Sequence, residues 1–175
     1  MAEIKSTLEL VMEKTRHLHM SQEEKRKQAV QAFKEAVSRL AGKYLDGQIS
    51  LQKFKAEFNQ LGEDAPSCKT DAAAEIGRRM DPGVDNTALL DLIRDGLGFN
   101  ISGIEATLRH FRKRLYYDEA QARERVRVHL STKGIFGSAV IPNLGPDKDW
   151  TKRRLEMFEA VGLELGAQIA QLKQV

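Results

Sequence analysis

The stretch from Ser102 to Gly134 constrains this chain most, because its apolar residues repeat with the period of one long helix. Ile104, Leu108, Phe111, Leu115, Ala122, Val126, His129 and Leu130 fall in one stripe at about 100° per residue, the spacing of a helix laid on a core. Arg109, Lys113, Arg123 and Arg127 take the outward side, with Arg112, Arg114 and Arg125 toward its flanks. Ser102 and Glu105 have the spacing of a capping box, and Gly134 after Lys133 is a stop signal. A helix over about 102–133 would be a rod of roughly 45 Å. Glu119 intrudes on its stripe and Tyr117-Asp118 is a point of restart, so continuity there is an expectation.

The remaining sequence reads in the same helical period. Ile4, Leu8, Val11, Met12, Thr15 and Leu18 make a first stripe. Ser21 and Glu24 form a second capping-box pair, opening a helix whose inner face runs from Ala29 and Val30 through Phe33, Val37 and Leu40 to Tyr44. Asp46-Gly47 ends it, Ser50 caps the next, and Leu51, Phe54, Phe58 and Leu61 anchor that one before Gly62. Residues 63–70 read as a loop, 71–80 as a short helix, and Asp81-Pro82-Gly83 as a turn. Leu89, Leu90, Ile93 and Leu97 mark a further helix closed by Gly96 and Gly98. A last helix runs from about Trp150 to Leu172 with Asp149 as its N-cap, and Trp150, Leu155, Phe158, Val161, Leu165, Ile169 and Leu172 as its inner face.

The expected fold class is therefore all-α: a bundle of six to seven helices, with one long amphipathic helix and a short apolar linker over 134–146. Ile135 to Ile141 has the pattern of a minimal hairpin around Gly137-Ser138 within that linker. A single domain over 1–175 is the simplest organisation, with an N-terminal helical arm over 1–62 and a compact bundle over 71–175 as its variant. At 41% hydrophobic and 30% charged residues, the chain has the composition of a protein with a real core.

Several function classes find no support in the residues. Cys68 is the only cysteine, which excludes an intramolecular disulfide and a cysteine zinc site. No uncharged apolar run of about 18 residues occurs, so no membrane segment is expected. The first 20 residues lack the unbroken apolar core of a signal peptide, and a cytoplasmic location is the expectation. Asp46-Gly47-Gln48-Ile49-Ser50 imitates half of an EF-hand loop, but that register puts Lys53 where the bidentate glutamate belongs. His17 and His19 point to different sides of a helix, and neither His110 nor His129 has the glutamate of a di-iron helix before it. Gly96, Gly98 and Gly103 follow a helix rather than a strand, unlike a dinucleotide loop. Neither cofactor nor metal is expected, and no catalytic residue stands out.

Three candidate sites remain. Residues 101–133 carry 8 basic and 4 acidic side chains, against 4 and 8 in residues 61–100. Arg109, Arg112, Lys113 and Arg114 on the long helix are thus candidate phosphate contacts, preceded by an approximate helix-turn-helix skeleton from Ile93 to Ile104. Arg94 occupies the position where that motif needs a small residue, so base readout is not expected and any nucleic-acid binding is expected to be weak and non-specific. The second candidate is an anion or ligand loop of Gly134, Gly137, Lys148, Lys152 and Arg153, where the linker meets the start of the last helix. The third is Gly162, Gly166 and Ala170, spaced by four as at a close helix-helix contact. Together these favour a non-enzymatic module that self-associates, as a homodimer, or binds a protein partner. A nucleic-acid-binding protein, and an enzyme or ligand-binding protein with an anion site over 134–154, are the competing readings.

Overall fold

Why each helix starts where it does is visible at its first turn. The computed structural model describes residues 21–61 and 66–172; the stripe over 1–20, with His17 and His19, and the stop at Gly62 lie outside them. Six α-helices and no strand occur among the described residues. Helix α1 (Gln22–Leu45) opens on the expected capping box: Ser21 Oγ accepts the Glu24 N–H at 3.1 Å, and Glu24 accepts the Ser21 N–H at 2.7 Å. Gly47, at φ +71°, turns the chain into α2 (Leu51–Leu61), where Ser50 Oγ accepts the Lys53 N–H at 3.3 Å. Helix α3 (Pro66–Gly77) begins inside the expected loop, because proline suits a first helical position, where no N–H is needed.

Helix α4 (Thr87–Asp91) runs into one π-helical turn, Leu92–Gly96, which periodicity did not foretell. The long helix α5 (Ser102–Thr132) is unbroken through Tyr117-Asp118. Its start corrects the expected box: Asn100 Oδ1, not Ser102, supplies the first bond, to the Ser102 N–H at 3.0 Å, and Glu105 turns to Arg94 instead. Helix α6 (Lys148–Ala170) is capped by Asp147, whose carboxylate accepts the Trp150 N–H at 3.0 Å, and not by Asp149.

The linker forms no hairpin. Gly134 (φ +80°) and Gly137 (φ +134°) bend it, and over 135–141 the cross-turn bond is Val140 N–H to the Gly137 carbonyl at 3.2 Å. Only Pro142 and Leu144 are buried in it; Phe136 and Ile141 stand out in solvent.

One apolar cluster gathers side chains from α1 through α6. Val37, Leu40 and Ala41 of α1 meet Phe54 and Phe58 of α2, Ile76 of α3, Leu92 and Ile93 of the π turn, Ile104 of α5, and Val161 of α6. The face of α1 before Phe33 is exposed, so its expected stripe leaves the core at Ala29 and Val30. A smaller cluster of Ala122, Leu144 and Trp150 closes the far end of the α5–α6 pair. The stripe of α5 runs out there: Val126 is half-buried and His129 is exposed.

The close helix contact is at Gly77, where a Cβ would collide with Ile169 Cδ1 of α6. Gly77→Ala is therefore expected to cost about 1–3 kcal/mol by overpacking. Ile169→Val, which deletes that atom, should cost about 0.5–1.5 kcal/mol alone yet rescue part of the loss in the double variant. Urea denaturation of the four proteins checks this, and strict additivity would refute the contact.

Candidate functional site

Helices α5 and α6 lie side by side along a groove of about 760 Å³. Its floor is apolar, with Phe111 of α5 and Met157 and Val161 of α6. The Phe111 ring meets Phe158 edge-on, with centroids 5.0 Å apart. One end is held by Thr107, whose hydroxyl donates to Glu164 at 2.9 Å and accepts from Gln168 at 2.8 Å. The other end is held by Asp118, a carboxylate only 7% exposed on the inner side of α5. Arg153 Nη2 donates to both of its oxygens at 3.1 Å, and Arg114 Nε lies 3.9 Å away. A buried carboxylate without such a partner would cost several kcal/mol, so this pair fixes how α5 and α6 sit together.

That pairing sorts the basic residues of α5. Arg114 faces the groove and leans on Asp118. Arg112 donates to the Val84 carbonyl at 2.6 Å. It also sits near Asp85, whose carboxyl is held below the usual carboxylate range, chiefly by the Thr87 hydroxyl and then by the Thr87 N–H. Arg123 and Arg127 pair with Glu119 and Glu124 one turn earlier on the same helix. Among the described residues, no carboxylate reaches Arg109 or Lys113. Beside these two stand Tyr116 and Tyr117, 78% and 62% exposed. Sequence reasoning counted the cations of α5 and passed over the two rings; their signal was their spacing of three and four from Lys113.

The expected anion loop is not assembled. Lys152 and Arg153 line the α5–α6 groove, whereas Gly134, Gly137 and Lys148 line neither that groove nor the one beneath the linker. Arg153 is committed to Asp118, and Lys152 lies 4.0 Å from Glu156. The N-terminus of α6, the natural seat for an anion, is taken by the Asp147 carboxylate with Asp149 behind it. Arg94, at the flawed helix-turn-helix position, is bound by Asp91 at 2.6 Å and Asp95 at 3.1 Å. Among the described residues, no three His, Cys, Asp or Glu side chains group as metal ligands.

The third candidate is corrected in its neighbours. Gly162, Gly166 and Ala170 are exposed, and a Cβ at either glycine would meet nothing within 4 Å. Leu155, expected inside, is 60% exposed, because Met157 takes the inner position between Trp150 and Val161. Leu163 is 78% exposed. No described helix is long and apolar enough to cross a membrane. No protein-family model matches this chain, and no curated protein or solved structure is significantly similar to it.

Proposed function

We propose that this chain is a single-domain helical bundle that pairs with a second copy of itself through the outer face of α6. The observation that carries the reading is the open space over Gly162 and Gly166, beside two leucines left in water. A glycine inside a helix costs about 1 kcal/mol relative to alanine, and no contact among the described residues offsets it here. A neighbouring helix seated on that face would use both features: leucine as a knob, glycine as the notch that receives it. A two-fold interface uses the same patch twice, so that patch must hold knob and notch together, as Leu155, Gly162, Leu163 and Gly166 do. Lys152 and Glu159 are exposed on the same side, so the face offers both signs of charge to its own copy.

Light scattering or sedimentation equilibrium at tens of micromolar should give twice the 19.7 kDa chain mass. Gly166→Leu should weaken association about tenfold or more, while Gly162→Ala and Gly166→Ala each raise the thermal stability of the dissociated chain, as alanine does in an open helix position. A single 19.7 kDa species for the unaltered protein at those concentrations would reject the reading.

A further inference from the structure

The outward turn of α5 from Arg109 to Tyr117 has a different character from the face of α6, and packing among the described residues does not account for it. Residues 106–117 contain four formal cations and no carboxylate. Arg109 and Lys113 stand one turn apart, and Lys113 is followed at three and four residues by Tyr116 and Tyr117, so the four side chains are surface neighbours. Both rings are more than half exposed, and none of the four side chains is used to hold the fold. Arg94, Arg123, Arg127 and Arg153 each have a carboxylate partner; Arg109 and Lys113 differ from the other cations without one in standing beside two exposed aromatic rings.

We propose that this turn of α5 binds single-stranded nucleic acid, with Arg109 and Lys113 on phosphates and Tyr116 and Tyr117 on bases. Cations alone would suit any polyanion; the adjacent rings narrow the choice. Free tyrosine faces stack on unpaired bases of any sequence, and interleaved positive charge tracks the backbone between them. A duplex hides its base faces and leaves only phosphates to the cations.

The test is fluorescence anisotropy of a labelled oligothymidine of about 20 nucleotides, against a duplex of equal length and against heparin, in about 50 mM salt and above. The unaltered protein should bind the single strand, with affinity falling with salt at a log-log slope of about −1.4 to −2 for two to three phosphates. Tyr116→Ala with Tyr117→Ala should weaken single-strand binding about tenfold or more and leave the salt slope unchanged. Arg109→Gln with Lys113→Gln should weaken it and flatten the slope by about 1.4. Because all four side chains are exposed, circular dichroism and thermal stability should not change. Absence of single-strand binding overturns the proposal. So does binding that the tyrosine pair does not affect, or equal affinity for duplex or heparin, which would reduce the face to a general attraction for anions.

Discussion

Replacing Phe54 with alanine should cost about 3–5 kcal/mol, the largest loss expected from any single side chain here. The ring is wholly buried and lies at the meeting point of three elements. It stacks on Phe58 with centroids 6.0 Å apart and planes 7° from parallel, and takes the edge of Tyr44 at 6.5 Å. Above it, Gly96 of the π turn comes so near that a Cβ there would stand 3.1 Å from the ring. Phe58 and Tyr44 border the space the ring would leave, but Gly96 opposite has no side chain to fill it. Guanidinium denaturation should show the midpoint falling with little change in slope. A loss below about 1 kcal/mol would mean that this aromatic layer does not hold α1 and α2 to the π turn.

Asn86→Leu is expected to cost about 1–3 kcal/mol although the two side chains are close in size. Asn86 is 2% exposed and works as an internal tie for the 81–86 loop. Its amide nitrogen donates to the carbonyls of Asp81 at 2.7 Å and Val84 at 3.1 Å, and its oxygen accepts the Asp81 N–H at 3.2 Å. Leucine leaves the Asp81 N–H without its partner and takes one of two bonds from each carbonyl, since Asp81 keeps the Val84 N–H and Val84 keeps Arg112. Asn86→Asp separates the causes. It keeps the acceptor but sets a carboxylate against two carbonyl oxygens, which raises that group's folded pKa above its unfolded value. The variant is then most stable below the ordinary carboxylate range and loses stability as pH rises through the raised value. Thermal melts at pH 4 and pH 7 read this directly, and equal losses at both would contradict the tie.

Helix α5 was legible from its stripe because a helix packed along much of its length must repeat its apolar residues. The start of α1 was equally legible, since a capping box is a local bargain between Ser21 and Glu24. Where a helix end depends on a neighbour, the sequence misleads. Glu105 has the spacing for a cap, but Arg94, brought close by the π turn, draws it away. Leu155 and Met157 are both apolar, and which one turns inward depends on where Trp150 and Val161 anchor α6. The glycine spacing of α6 pointed to a helix contact, but among the described residues the helical glycines in close approach are Gly77 against Ile169 and Gly96 against Phe54, while Gly162 and Gly166 look outward. The basic residues of α5 were plain to see, and their division into paired and unpaired was not, because Asp118, Val84 and Glu119 become partners only on folding or helix formation.

Trp150, the only tryptophan, sits in the small cluster with Ala122 and Leu144 and not in the main one. Its emission therefore witnesses one end of the α5–α6 pair, while far-ultraviolet dichroism averages over all the helices. If the protein melts as one cooperative body, the two signals trace the same curve. If the far end opens first, tryptophan emission shifts at a denaturant concentration where most of the helical signal is intact. The single tryptophan is thus an optical sensor beside the linker, in the smaller of the two apolar clusters among the described residues.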